Sequence, residues 1–322
     1  MNWKKLGKIF DPLDYELSSK YFGFAQSPQA IVFDDFIRIY FSIRKLDFKN
    51  KFISHIEFVD MSLDLKTVLN TSKREVISVG ELGCFDEHGI FPFSPVRIND
   101  MIYAYTSGWS RRKSVSVDNS IGLAISKDNG LTFKRYGNGP VLTSSLYEPF
   151  LIVDGFVRKF NKNFYMFYIF GQQWYKENEI EEPERVYKIG YAISNDGINW
   201  KKMNRCIIEN KIDENECQAL PTVIKIGERY HMYFCFRHMI GFRKEREKAY
   251  RLGYAYSDDL INWIRDDDNV GITTTQGDWD SSMMCYPNLV EVNGKIYLLY
   301  NGNEFGKFGF GVAKLMGVDN ER

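Results

Sequence analysis

Apolar and polar residues alternate along much of this chain with a period of two, the pattern of strands buried on one face. Five aromatic-rich segments carry it, at residues 37–42, 102–107, 164–168, 230–235 and 296–300. Before each lies a second apolar segment containing an early proline, at Pro28, Pro95, Pro149, Pro221 and Pro287. A proline is tolerated where a strand begins because the ladder does not yet need its missing N–H. Short turns such as Asn99-Asp100 and Asn293-Gly294 separate the two segments, the second being a strong two-residue hairpin signal. The pattern thus predicts five hairpins.

A third strand follows each hairpin, and in three of the five it ends in the same words. Ser126, Asp128 and Phe133 are matched by Ser194, Asp196 and Trp200, and again by Ser257, Asp258 and Trp263. The serines stand 68 and 63 residues apart. In unit one (52–60) and unit five (309–315) the turn is degenerate or absent. Fourth strands are expected at 75–79, 140–143, 206–209 and 270–273, and unit five has none of its own. The segment Lys5 to Phe10 is expected to supply it. Units this small cannot bury an apolar face alone and must pack against neighbours. The prediction is all-β: one domain over residues 1–322, a five-bladed β-propeller of four-stranded blades closed by the N-terminal strand. A two-domain sandwich leaves the repeat unexplained.

Composition narrows the class. Aromatics are 16% of the 322 residues, which suits strands with large side chains packed between sheets. Basic and acidic residues balance at 42 each, so no global field attracts nucleic acid or an anionic membrane. The basic runs at Arg111 to Lys113 and Arg243 to Lys248 read as solvated loops or local anion sites. No apolar run approaches the roughly 18 residues that span a bilayer, and the first ten residues lack the apolar core of a secretory signal. Five cysteines with no C-x-x-C spacing fit a reduced, cytoplasmic protein without structural zinc. No metal or cofactor motif is legible.

In a propeller the first strand of every blade lines the central channel, so the residues leading into those strands converge. Acidic groups crowded there raise one another's pKa and suit general acid chemistry. Glu148, beside Pro149, is the first candidate. Asp86, Glu87 and His88 precede a glycine and two prolines, and Asp280 follows Asp278 and Trp279. Arg44, His88, Trp109, Arg237, His238, Tyr286, Asn301 and Asn303 are candidates to stack on a sugar or hold its hydroxyls or a phosphate. Trp200, Trp263, Asp196 and Asp258 belong to the repeated turn and are expected to be structural.

Five blades with proline-bearing inner strands and Ser-x-Asp turns resemble the arabinanase, levansucrase and invertase superfamily of glycoside hydrolases, over essentially the whole chain. The resemblance implies three channel carboxylates: a base or nucleophile in blade one, a pKa-tuning Asp in blade two and a general acid in blade three. The third falls on Glu148, but the first two positions read Ser27 and Ser94. Two-carboxylate hydrolysis therefore does not transfer as it stands, unless Asp86, Glu87 or Asp280 supplies a displaced carboxylate. Related propellers include phosphorylases and transferases that use activated sugars, for which arginines matter more than a second carboxylate. The expectation is a cytoplasmic carbohydrate-active enzyme acting on a glycosidic or glycosyl-phosphate bond, needing no cofactor. Its substrate would be a small carbohydrate, with sugar phosphates and nucleotide sugars as alternatives. The competing class is a non-catalytic sugar-binding or scaffold propeller.

Overall fold

A computed structural model describes residues 1–18, 23–176, 178 and 182–317. The chain opens with β1 (Trp3–Phe10), and blade one is β2 (Gln26–Val32), β3 (Ile37–Leu46), β4 (Phe52–Met61) and β5 (Val68–Thr71). Blade two is β6 (Ile90–Ile98), β7 (Met101–Arg111), β8 (Val117–Ser126) and β9 (Lys134–Arg135). Blade three is β10 (Phe150–Phe160), β11 (Asn163–Tyr175), β12 (Glu184–Ser194) and β13 (Lys201–Lys202). Blade four is β14 (Cys217–Ile226), β15 (Arg229–Arg237), β16 (Arg251–Ser257) and β17 (Ile264–Arg265). Blade five takes β18 (Cys285–Val292), β19 (Lys295–Asn301) and β20 (Phe310–Leu315), with β1 as its outer strand. Every pairing within a blade is antiparallel, and the expected five-bladed propeller is the observed one.

The outer strands differ from expectation. They follow directly on the repeated turns, as two-residue strands in blades two, three and four, rather than at 75–79, 140–143, 206–209 or 270–273. Those later segments are apolar because they run beneath their neighbours: Val76, Ile77, Leu142, Ile207, Ile208 and Val270 are buried without joining a sheet as a strand.

The repeated turn has a fixed internal logic. The Ser194 hydroxyl accepts the Gly197 N–H at 2.9 Å while Asp196 Oδ1 accepts the N–H groups of Ile198 and Asn199, both at 2.8 Å. Blade four repeats this with Ser257 and Asp259, so the turn aspartate there is Asp259 rather than Asp258, which pairs with Arg229. Neighbouring blades are stitched to these turns by second-strand tyrosines. Tyr40 donates to Gly130 O at 2.7 Å and Tyr105 to Gly197 O at 2.8 Å.

All five inner strands carry a β-bulge at the same place. Ser27-Pro28, Phe91-Pro92, Leu151-Ile152, Leu220-Pro221 and Tyr286-Pro287 each set two residues against one on the next strand. The prolines of blades one, four and five are thus bulge residues inside their strands. In blade two the bulge proline is Pro92, not Pro95, and Pro149 lies outside β10 altogether. Bulges re-aim side chains, and they gather next to functional sites.

Candidate active site

Strand β10 has a second bulge, where Asp154 and Gly155 stand between the paired residues Val153 and Phe156. Asp154 adopts φ +61°, a conformation that a side-chain-bearing residue holds only when its surroundings impose it. Its own N–H donates to Ser107 Oγ at 3.0 Å, and its Oδ2 accepts the Leu220 N–H at 3.1 Å. Residues of three blades therefore hold this one aspartate, Ser107 through its backbone N–H and Leu220 through its carboxyl. It faces a cavity of about 460 Å³ at the mouth where the inner strands begin. Burial raises its pKa to about 7, against the opposing pull of the Leu220 N–H and of Arg185.

The rest of this upper pocket is cationic and aromatic. Arg44, Arg185, Arg237 and Arg243 line it, and Asp154 is the one carboxylate among the described lining residues. Arg237 is buried, its guanidinium 3.5 Å over the Phe242 ring, donating through Nε to the Tyr187 hydroxyl at 3.1 Å. Tyr187 and Tyr250 share a hydrogen bond of 2.5 Å. Burial pushes Tyr187 up to about 12, which keeps its hydroxyl neutral. Arg44 donates to Gln26 Oε1 at 2.8 Å, and burial holds it below the ordinary guanidinium value. Arg185 donates to Ser116 Oγ at 3.1 Å, and Arg243 pairs with Glu184 at the rim. Trp109, Phe24, Phe52, Tyr286 and Phe305 supply apolar faces.

Of the residues singled out from the sequence, Arg44, Trp109, Arg237 and Tyr286 line this pocket. His88 stands behind it, stacked on Trp109 with ring centres 5.7 Å apart and 3.2 Å from Glu87. His238 lies outside, 4.0 Å from Asp213. Asn301 and Asn303 are spent on backbone: Asn301 bonds Ala25 O, Gly309 O and the Ser27 N–H, and Asn303 accepts from Ser282 N at 2.6 Å.

The four predicted carboxylates sit elsewhere. Glu148 is fully buried between Lys202 at 2.8 Å and the Tyr168 hydroxyl at 2.8 Å. Asp86 is held by Arg135 at 2.6 Å, and Asp280 by Lys5 at 2.5 Å and the Tyr300 hydroxyl at 3.1 Å. Glu87 accepts from Gly83 N at the surface of its loop. Glu216 in blade four completes a series, paired with Arg265 at 2.6 Å. Each of the four blades thus latches a carboxylate from the loop before its inner strand to a cation on its outer strand. Asp154 itself had a sequence signal: an acid and a glycine interrupt the apolar run from Phe150 to Val157.

No family model matches the chain. A stretch of 117 residues, 36% of this chain and 35% of the other, is 30% identical to a 1,2-beta-oligomannan phosphorylase of Thermoanaerobacter sp. strain X514. Among solved structures, one described as a glycoside hydrolase superposes with TM-score 0.74 at 16% identity, covering 99% of this chain and 95% of that one. The Bombyx mori GH32 beta-fructofuranosidase does so with TM-score 0.63 at 16% identity, over 94% of this chain and 61% of its own. These likenesses establish the fold of the glycoside hydrolase propellers. Over 315 residues, 98% of this chain and 99% of the relative, the sequence is 32% identical to the uncharacterized protein Rv1502 of Mycobacterium tuberculosis strain H37Rv. At that identity and coverage, the chain belongs to the same protein family as Rv1502.

Proposed function

We propose that the upper pocket is a glycosyl-transfer site of a carbohydrate-active enzyme, with Asp154 as general acid and a phosphate group as the partner of the anomeric carbon. The supporting observation is the charge inventory: one carboxyl with a pKa near 7 faces four guanidiniums, of which Arg243 is already paired with Glu184 at the rim. A neutral acid at neutral pH has a proton to give. In the phosphorolytic direction a phosphate oxygen bonds to the anomeric carbon as the glycosidic C–O bond breaks. The Asp154 proton passes to the departing oxygen. In reverse, a sugar hydroxyl attacks a glycosyl phosphate and the Asp154 carboxylate takes the proton. Hydrolysis with two carboxylates would need a second acid to activate water or act as nucleophile, and the described lining holds none. The arginines hold phosphate and stabilise charge as it moves, and Trp109 offers a stacking face for a sugar.

The partial similarity to an enzyme named for 1,2-beta-oligomannan supports β-linked mannosides as the substrate class. Arg44, Arg185 and Arg237, without a described carboxylate in ion-pair range, exceed what one phosphate group engages, which favours a second reading: a transferase whose donor is a nucleoside diphosphate sugar. Either reading goes with a cytoplasmic protein whose cysteines stay reduced thiols. The test is phosphate release from mannose 1-phosphate in the presence of mannose or a mannobiose acceptor. The expected result is acceptor-dependent turnover that drops about 10²- to 10⁴-fold in Asp154→Asn. Turnover only with nucleoside diphosphate sugars selects the second reading. Full activity in Asp154→Asn, or hydrolysis without phosphate or acceptor, overturns both.

A further inference from the structure

The inner strands that begin at the upper pocket end at a second opening on the opposite face, lined by residues 30–32, 95–97, 158–160, 223–225 and 289–291. All five blades contribute to this cavity of about 340 Å³. Its charge is one-sided, with Arg97, Arg158, Lys159 and Lys225 against Glu291.

Among the described residues these cations are short of partners. Arg158 makes one hydrogen bond to a described residue, from Nη1 to Val157 O at 2.9 Å. Arg97 rests its guanidinium 5.0 Å over the Phe33 ring, and Lys159 its ammonium 5.4 Å over Phe164. Lys225 reaches Glu228 at 3.5 Å, a carboxylate whose side chain is fully exposed. Among the described residues, no carboxylate lies in ion-pair range of Arg97, Arg158 or Lys159. Arg158 is half-buried, its guanidinium 4.3 Å over the Phe156 ring, and burial brings its pKa down to about 10.

An enclosed cation without a counter-charge is costly unless something fills the role. Elsewhere in this molecule the cost is met internally, as Arg265 is by Glu216 and Arg38 by Asp60. At the lower mouth, where Arg158 is half-buried and Arg97, Lys159 and Lys225 are exposed, no described carboxylate pairs with either arginine, and a cleft of one sign concentrates counter-ions. Two arginine forks from adjacent blades, flanked by two lysines, suit a doubly charged tetrahedral anion better than a single carboxylate. The cavity also has apolar walls, including Ile31, Val96, Ile224 and Val290. We propose that the lower mouth of the channel is a second binding site that takes a phosphate-bearing ligand, separate from the upper pocket.

The probes are pyrophosphate, followed by calorimetry and thermal shift, and phosphatidylcholine vesicles with and without phosphatidic acid, followed by flotation. The two arms separate soluble phosphate from phosphate on a membrane. Both are run in Arg185→Gln/Arg243→Gln, which weakens the upper pocket, with and without Arg97→Gln/Arg158→Gln. The expected result is binding in at least one arm that falls by about tenfold or more when the lower arginines are replaced. In phosphate-free buffer, Arg97→Gln/Arg158→Gln alone should still give one cooperative melt, since no ion pair to a described residue is lost. Binding in neither arm, or binding indifferent to Arg97 and Arg158, overturns the assignment. Failure of the upper pocket to turn over any sugar leaves this result unaffected.

Discussion

Asp154 is the residue on which the proposed chemistry turns, and its burial leaves a mark on stability as well. In the unfolded chain an aspartate ionises near 4, whereas here its carboxyl stays protonated to about 7. The native state therefore holds this proton more tightly than the unfolded state. Its contribution is fully present below about pH 4 and is lost as pH rises through 7. Asp154→Asn keeps an oxygen to accept the Leu220 N–H and has no proton to lose. Its Tm should match that of the unmodified protein near pH 4 and exceed it increasingly towards pH 8. The gain there is expected to be on the order of 2–4 kcal/mol. Thermal melts across that range check it, and equal melts at pH 8 would mean that Asp154 ionises normally. The same titration should lower turnover above pH 7, as the acid loses its proton. This residue was legible as an interruption of an apolar strand. Its isolation was not, because Asp86, Glu148 and Asp280 are also acids leading into inner strands. Only the fold reveals that each of those meets a lysine or arginine from its own outer strand.

Those latches act at the scale of the element. The outer strands β9, β13 and β17 are two residues long, too short to hold themselves by ladder hydrogen bonds. Each places a cation, Arg135, Lys202 or Arg265, on a buried carboxylate across the blade. Removing one partner of a buried pair strands the other charge, at a cost of about 3–5 kcal/mol. Glu148→Gln should therefore lower stability by about that amount while leaving turnover per folded molecule unchanged. Adding Lys202→Met removes the stranded ammonium and should recover most of the loss. Denaturant titration of the single and double variants, with kcat measured on folded protein, separates this from catalysis. A stable Glu148→Gln with lost turnover would return the acid role to Glu148. Two-residue strands leave no periodic signature, which is why the apolar segments 206–209 and 270–273 resembled fourth strands. Prolines misaligned blades two and three for a related reason. The bulge needs its first residue at positive φ in Ser27, Leu151, Leu220 and Tyr286, but tolerates Ile152 where other blades have proline.

At the scale of the whole molecule, the ring was readable because the turns repeat, and its closure because blade five lacked an outer strand. What the repeat could not reveal is the polar seam that joins the last blade to the first. Asn301, which resembled a sugar-binding residue, is fully buried there. Its Oδ1 accepts the Ser27 N–H at 2.7 Å, and its Nδ2 donates to Ala25 O at 2.8 Å and to Gly309 O at 2.7 Å. Asn288 adds a second stitch, accepting the Ala30 N–H at 3.0 Å and donating to Gln29 Oε1 at 3.1 Å. Every other junction joins blades that are consecutive in the chain. This one must be made between ends that start far apart, with the loop-closure entropy that entails. Asn301→Ala leaves three buried backbone groups without a partner, each worth about 1–3 kcal/mol. The expected outcome is a loss of roughly 3 kcal/mol or more in urea denaturation, with KM for the sugar substrate little changed. A raised KM at unaltered stability would instead move Asn301 into the binding site. The seam, like Asp154, joins residues distant in sequence, and such residues carry no mark of their meeting until the ring is closed.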